Sequence, residues 1–185
     1  MRKKGARVVT DYVIKYAKEL QSLSFEPEKA FETLIEYPNQ DGGALITGAI
    51  DIVRQDDPPR VTLIDFKSGD DKEDAKKLDA AEMALQIGIY AIAARNELEY
   101  EPELGMVRYL DSGPTEKAEL KVPLDAKSLE TAKNTVAASA LQIRQRKFTE
   151  GPRVHREGKK RCATCDFLGL CGMSDALTHK KESGI

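Results

Sequence analysis

Two apolar segments that each contain an aspartate constrain this chain more than any other feature. Gly48–Val53 and Leu63–Lys67 consist mainly of β-branched and other apolar residues, and this composition predicts two buried strands. The first segment contains Asp51 and the second contains Asp65. An ionised carboxylate in a buried strand is costly unless a cation or several hydrogen-bond donors compensate for it. Both aspartates are therefore candidates for a functional site.

Residues 55–59, which end in Pro58-Pro59, are predicted to form a loop that joins the two strands as an antiparallel hairpin. In such a hairpin Asp51 can approach Asp65. Because side chains alternate along a strand, Lys67 is expected on the same face as Asp65, and Phe66 on the opposite face. Two neighbouring carboxylates form an oxygen-rich site that suits Mg²⁺ or Mn²⁺, and the Lys67 ammonium can stabilise charge on a phosphate there.

A lone D-x-K pattern on a strand is more often a surface ion pair than a catalytic site, but G-x-x-D in the preceding strand favours the catalytic interpretation. Gln86 and Tyr90 add to it, because a spacing of four residues places both on one side of a helix. A glutamine on an apolar helix needs partners, which a phosphate or a catalytic lysine would supply. Considered without the other motifs, Gln86 and Tyr90 have a simpler explanation. The glutamine would be hydrogen-bonded to the backbone of a neighbouring loop, and the tyrosine would be packed in the core.

Apolar periodicity predicts the remaining elements. Helices are expected over residues 6–20, 80–96 and 125–147, and strands over residues 31–37, 44–53, 60–67, 105–110 and 117–122. Asp79 is expected to cap the second helix, and Asp125 or Ser128 the third. Turns are expected at residues 38–43 and 112–114. This order predicts an α/β sandwich around a mixed sheet.

The 185-residue chain is long enough for one domain with a hydrophobic core, and its apolar runs are too short to span a bilayer. No apolar stretch follows the basic N-terminus, so we expect a cytoplasmic protein with no membrane partner. The formal net charge is −2, but residues 144–161 carry +6 and the rest of the chain −8. A basic segment beside an acidic body favours phosphate binding and a solvated helix end about equally. Its basic residues are Arg144, Arg146, Lys147, Arg153, Arg156, Lys159, Lys160 and Arg161.

The three cysteines, Cys162, Cys165 and Cys171, lie within ten residues of one another. An extracellular disulfide framework would spread an even number of cysteines along the chain, which is not the case here. The spacing C-x2-C-x5-C instead predicts a metal or iron–sulfur site, since one turn brings the first two thiolates onto one ion.

Four motifs occur in a fixed order: G-x-x-D at Gly48–Asp51, D-x-K at Asp65–Lys67, Q-x-x-x-Y at Gln86–Tyr90 and the cysteine pattern at Cys162–Cys171. Together they resemble the RecB-like branch of the PD-(D/E)xK nuclease superfamily. The likeness is to its iron–sulfur members: CRISPR-associated RecB-like exonucleases, AddB-type nuclease domains and nuclease domains at the C-terminus of UvrD/Rep-type helicases. It covers residues 31–173.

The resemblance implies a restriction-endonuclease-like α/β fold, in which a central mixed sheet is flanked by helices and followed by a cysteine-bearing tail. Residues 1–150 would be the nuclease core, with its N-terminal helix at 6–20, and residues 151–185 the basic loop and cysteine tail. Asp51, Asp65 and the Phe66 backbone carbonyl would bind Mg²⁺ or Mn²⁺, and Lys67 would be the catalytic lysine. The implied activity is hydrolysis of DNA, as an exonuclease on single-stranded ends, in a helicase–nuclease of DNA repair or recombination.

The resemblance also implies roles for the other motifs. Gln86 and Tyr90 would support the catalytic site or contact the DNA backbone. The basic segment over residues 144–161 would bind DNA without reading its bases. The three cysteines would hold three irons of a 4Fe–4S cluster. The resemblance to helicase-linked domains implies a helicase motor in the same or a partner chain as a further partner. No Walker-type phosphate-binding motif is present in this sequence, so any ATP chemistry lies elsewhere.

This sequence departs from those relatives in two respects. They have a fourth cysteine and a metal-binding histidine before the first strand, whereas the histidines here are His155 and His179. Either the chain is a fragment of a longer protein or its cluster is degenerate, and we expect a fragment. The three-cysteine site would then be empty, hold zinc with His155 or contain an oxidised pair. The alternative function is a catalytically silent DNA-binding or scaffolding domain. A zinc-ribbon interaction module with structural carboxylates ranks last, because it needs three independent coincidences.

Overall fold

The structure is a computed structural model, and it describes residues 2–67, 80–110 and 119–147. The chain forms two compact units, residues 1–137 and 138–185, and residues 138–147 are the described part of the second unit. The elements in chain order are α1 (Arg2–Lys15), α2 (Ala17–Ser22), β1 (Ser24–Glu36), β2 (Gly43–Asp57), β3 (Arg60–Lys67), α3 (Ala80–Glu97), β4 (Glu101–Tyr109), β5 (Glu119–Pro123) and α4 (Ala126–Arg144).

The described strands form one five-stranded mixed sheet in the order β1-β2-β3-β4-β5. Neighbouring strands are antiparallel except β3 and β4, which run parallel. A parallel pair needs a crossover connection, and α3 lies between these two strands in the chain. The sheet and its helices confirm the predicted α/β architecture.

Helix α3 covers one face of the sheet and forms the centre of the core. It is apolar on nearly all sides, which is the pattern of a buried helix. It packs against β1, β3, β4 and β5. The approach to β4 is so close that a side chain at Gly105 would collide with Ile87, and a Cβ at Gly88 would lie 2.8 Å from the Cβ of Ala132. These glycines allow α3 to fit between the sheet and α4.

The opposite face of the sheet is covered by the N-terminal helices through two tyrosines. Tyr12 packs edge-on against Phe66 of β3, with ring centroids 5.4 Å apart, and Tyr16 is buried. Residues 6–20 are helical as predicted except at Tyr16, which separates α1, ending at Lys15, from α2, beginning at Ala17. Val9 and Val13, which lie four residues apart in α1, are 62% and 49% exposed. The side of the helix that faces the sheet is aromatic, because it covers Phe66.

The predicted loop over residues 55–59 is also wrong. The β2–β3 ladder continues through Gln55 with Val61 and Asp57 with Arg60, and an irregularity between these two pairs leaves a turn at residues 58–59. A proline removes only its own N–H from a ladder, so the residues before it can still pair. The bounds predicted for β3 are confirmed, whereas β1, β2 and β4 are longer than predicted.

Asp125 caps α4, as expected, because the Ser128 N–H donates to its Oδ1 over 2.9 Å. The helix ends at Arg144 rather than at residue 147. Arg146 has a φ of 58°, which is in the left-handed region, and the Lys147 N–H donates to the Gln142 carbonyl over 2.8 Å. Asp79 and the predicted turn at residues 112–114 lie outside the described residues.

Candidate active site

The site lies where β2 and β3 stop pairing. Their last registered pair at this end is Ile52 with Ile64, and the next residues of the two strands are Asp51 and Asp65. The Phe66 N–H donates to Oδ2 of Asp51 over 2.7 Å. The Asp51 carboxylate thus accepts a hydrogen bond from the backbone of β3 just beyond the last antiparallel pair. This bond fixes Asp51 beside the end of β3.

Asp65 is the most deeply buried carboxylate of the site, with 2% of its side chain exposed. Its Oδ1 accepts a hydrogen bond from Nε2 of Gln86 over 2.8 Å. Its Oδ2 forms an ion pair with Nζ of Lys67 at 2.7 Å, but among the described residues no donor faces Oδ2 in hydrogen-bond geometry. Burial raises the pKa of Asp65, the Lys67 ammonium opposes that rise, and the charge of Asp51 adds to it.

Gln86 connects the members of this site. Its Nε2 donates to Asp65 and to the Tyr90 hydroxyl, each over 2.8 Å, and its Oε1 accepts from Nζ of Lys67 over 3.0 Å. Both N–H donors of the carboxamide are thereby used within the protein. Of the two roles that the resemblance implied for Gln86, these contacts favour support of the site over contact with DNA. Burial raises the pKa of Tyr90, so its hydroxyl stays protonated.

The reverse side of β3 carries a charged cluster that the sequence analysis missed. Arg108 of β4 is registered opposite Phe66 and is 1% exposed. Its guanidinium donates to both carboxylate oxygens of Glu19 over 2.8 Å, to Glu119 over 3.1 Å and to the Tyr12 hydroxyl over 3.0 Å. An arginine inside the apolar strand 105–109 is the same signal that identified Asp65, and it could have been recognised in the same way.

The fold, the carboxylate pair and the lysine agree with one known family. The sequence matches the PD-(D/E)XK nuclease superfamily over residues 1–172. The chain belongs to this superfamily. Its fold is also similar to that of a solved structure titled "Crystal structure of SSO0001", with a TM-score of 0.52 and 18% identity over 86% of this chain and 67% of that chain. No curated protein matches the chain in sequence.

PD-(D/E)XK nucleases generally use Mg²⁺ or Mn²⁺, and the residues of this site fit such an ion. Within the described ranges, the cation that pairs with Asp65 is Lys67, and the buried Oδ2 of Asp65 has an acceptor position available. Carboxylate oxygens are the ligands that these ions prefer. Within the part of the chain that the structure describes, no three His, Cys, Asp or Glu side chains are close enough to hold a metal. Mg²⁺ commonly needs only one or two carboxylates, since water and substrate phosphate complete its shell.

The other predicted site residues fall into two groups. Arg144, Arg146 and Lys147 are exposed at the end of α4. The remaining ones lie outside the described residues, namely Arg153, Arg156, Lys159, Lys160, Arg161, Cys162, Cys165 and Cys171. None of the helices in the described ranges combines the length and apolarity that a membrane crossing requires.

Proposed function

We propose that this nuclease-superfamily domain hydrolyses phosphodiester bonds of DNA in a metal-dependent reaction, as an exonuclease on single-stranded ends. The observation that supports it best is the contact of Asp65 with Lys67 and Gln86, which also contact each other. Asp51 is held beside this group, where β2 and β3 stop pairing, by the Phe66 N–H. A structural ion pair on a strand would not need the second carboxylate. It would also not need a buried glutamine that contacts both partners of the pair.

Asp51 and Asp65 would hold Mg²⁺ or Mn²⁺, with the Phe66 carbonyl as a further proposed ligand. When bound, the ion supplies Lewis-acid polarisation of the phosphate and activation of a water. The hydrogen bond from Phe66 N–H keeps Asp51 turned toward this end of β3. Gln86 holds Oδ1 of Asp65, which leaves the buried Oδ2 for the ion and for Lys67.

Lys67 supplies positive charge where negative charge develops on the phosphate. Its ammonium has three N–H donors, and its described contacts with Gln86 and Asp65 leave at least one of them for a phosphate oxygen. The 24% exposure of its side chain gives that oxygen access from solvent. Because Gln86 fixes the ammonium before substrate binds, little reorganisation is needed during the reaction.

Substrate binding outside the site is proposed for the basic segment. Arg144, Arg146 and Lys147 are exposed and can contact phosphates without reading bases. Binding of this kind weakens as salt concentration rises, because neutralised phosphates release their counterions.

The cysteine pattern supports a further part of the proposal. Cys162, Cys165 and Cys171 would hold an iron–sulfur cluster or a zinc ion, and the support is their spacing in the sequence. A brown colour after anaerobic purification, together with an iron and sulfide analysis, would support the cluster, and a colourless protein that contains zinc would contradict it. A helicase motor as partner and a cytoplasmic location are likewise proposed from the sequence alone.

The test is degradation of single-stranded DNA by the purified chain with Mg²⁺ or Mn²⁺, compared between the wild type and Asp65→Asn. The matched control is Asp41→Asn, which removes an exposed carboxylate in the turn after β1. We expect metal-dependent shortening from an end by the wild type and the control, and its loss in Asp65→Asn. DNA binding without cleavage by the wild type would instead support the silent DNA-binding domain, and equal cleavage by all three proteins would refute the assigned site.

A further inference from the structure

Phe31 of β1 lies against the glycine of the G-x-x-D motif. The two residues are registered opposite each other in the β1–β2 ladder. A Cβ at position 48 would lie 2.9 Å from Cζ of Phe31 and 3.2 Å from its Cε1. Such distances are shorter than van der Waals contact, so the ring can lie over β2 only because Gly48 has no side chain.

The same ring contacts the tyrosine of the Q-x-x-x-Y motif. Phe31 and Tyr90 meet edge to face, with centroids 5.9 Å apart and an interplanar angle of 70°. Both side chains are buried in the core formed by the sheet and α3. An edge-to-face pair prefers a limited range of ring orientations, so Phe31 restricts the position of the Tyr90 ring.

The position of Tyr90 matters because its hydroxyl accepts one of the two N–H groups of Gln86 over 2.8 Å. The other N–H is donated to Asp65, and the carboxamide oxygen accepts from Lys67. A carboxamide is planar, so a shift of the Tyr90 hydroxyl turns the whole group and lengthens one of its other two bonds. Phe31 is thus linked to both proposed catalytic groups by an uninterrupted series of contacts.

We infer that Phe31 is a positioning residue that acts through Tyr90 to orient Gln86 toward Asp65 and Lys67, and that Gly48 provides the space for its ring. This inference rests on the proposed nuclease function and assigns a role to a residue outside the four motifs. It also gives a physical reason for glycine in G-x-x-D, namely the approach of an aromatic ring from the neighbouring strand.

Loss of a residue that orients a metal ligand typically lowers metal affinity or activity about 10- to 100-fold. Since Phe31 acts one step further away, we expect Phe31→Leu to lower kcat by about tenfold and to leave the KM for DNA nearly unchanged. Gly48→Ala should have a similar effect, because the added methyl group displaces the ring. In the double variant Gly48→Ala/Phe31→Leu the methyl group has no ring to displace, so the double variant should equal Phe31→Leu alone.

The experiment measures two quantities on these three variants and on Ile35→Val. Ile35 lies in the same strand and the same core, four residues from Phe31, so the control removes a buried methyl group about 13 Å away along the strand. The first quantity is the kcat and KM for single-stranded DNA. The second is the NMR signal of the Gln86 side-chain amide in metal-free protein, which reports on orientation without any activity.

A shifted or broadened Gln86 signal in Phe31→Leu and Gly48→Ala, with no additive effect in the double variant and none in Ile35→Val, supports the inference. An unchanged Gln86 signal in Phe31→Leu overturns it, and so do additive effects of the two substitutions. If the wild type does not cleave DNA but the Gln86 signal moves as expected, the proposed function fails and the contact series stands. If the wild type does not cleave DNA and the Gln86 signal is unchanged in the variants, both the proposed function and the positioning role of Phe31 are refuted.

Discussion

Removal of the Arg108 side chain should destabilise this protein more than removal of any exposed arginine. Arg108 is 1% exposed, and it bonds to Glu19, Glu119 and Tyr12 while its guanidinium lies 3.8 Å from the Tyr16 ring centroid. This cluster joins α1 and α2 to β4 and β5, and it lies behind the strand that carries the proposed catalytic residues. The substitution is Arg108→Met, which keeps an unbranched apolar stem but removes the guanidinium and its charge.

Removing one partner of a buried ion pair costs about 3 to 5 kcal/mol, because the other charge stays buried without compensation. For Arg108 we expect a cost near the lower end of this range, for two reasons. The side chains of Glu19 and Glu119 are 20% and 23% exposed, so water partly solvates them. Arg54 remains 3.3 Å from Glu19 and continues to offset its charge. We therefore expect a loss of about 3 kcal/mol, which corresponds to a decrease in Tm of about 6–12 °C for a chain of this length.

The assay is urea unfolding followed by circular dichroism, with the free energy of unfolding compared at equal m-value. Arg108→Lys should fall between the wild type and Arg108→Met, because an ammonium keeps the charge but loses the planar fork and the ring stacking. The matched control is Arg60→Met, which removes a half-exposed arginine that pairs with Asp57. It should leave the free energy of unfolding nearly unchanged, because exposed ion pairs contribute little to stability. A loss below about 1 kcal/mol in Arg108→Met would refute the reasoning.

Three further predictions concern the proposed site and the pH dependence of stability. Lys67→Met should lower DNA cleavage by at least about 100-fold while Mn²⁺ binding by calorimetry is retained or tightened, because Lys67 supplies charge to the phosphate and competes with the ion for Asp65. Mn²⁺ at 100 times its Kd should raise the free energy of unfolding of the wild type by about 2.7 kcal/mol, and Asp65→Asn should abolish this gain in a thermal-shift assay. The hydrogen bond from Lys29, followed by that from Tyr100, lowers the pKa of Glu26 from its usual 4.5. The ionised Glu26 therefore stabilises the fold above pH 4.5, and this stabilisation is lost as the pH falls through the lowered pKa. Unfolding measured between neutral and acidic pH should therefore show a shallower loss of stability in Glu26→Gln, and an unchanged slope would contradict this assignment.

The structure also shows how the reverse face of the sheet bears on the proposed site. Phe66 stands between Asp65 and Lys67 in the sequence, and its ring packs against Tyr12 while its N–H binds Asp51. The backbone that carries the D-x-K motif is thus fixed by a ring contact with α1 and by a hydrogen bond to a side chain of β2. The N-terminal helices are part of the same core unit as the carboxylates, although they contribute no proposed ligand.

The sequence by itself determined those features that depend on neighbours within a few residues. The bounds of β3 follow from its apolar β-branched run between Pro59 and the charged sequence that follows Lys67. The cap at Asp125 follows from a bond made three residues later. The apolar content of α3 predicted a buried helix. The opposite faces of Asp65 and Phe66 follow from strand alternation alone. The resemblance to the nuclease superfamily rested on motifs that are themselves short.

The tertiary structure decided the features that depend on residues distant in the sequence. Arg108 and Glu19 are separated by 89 positions, and Gln86 and Asp65 by 21, so no local pattern specifies either contact. The same holds for Phe31, whose proposed role depends on its contacts with β2 and with Tyr90 of α3, which is much later in the chain. Local patterns set which residues are buried or extended, because backbone preferences and apolar periodicity act over a few positions. Which buried polar groups meet is set by the packing of sheet and helices, since that packing brings distant residues within bonding distance.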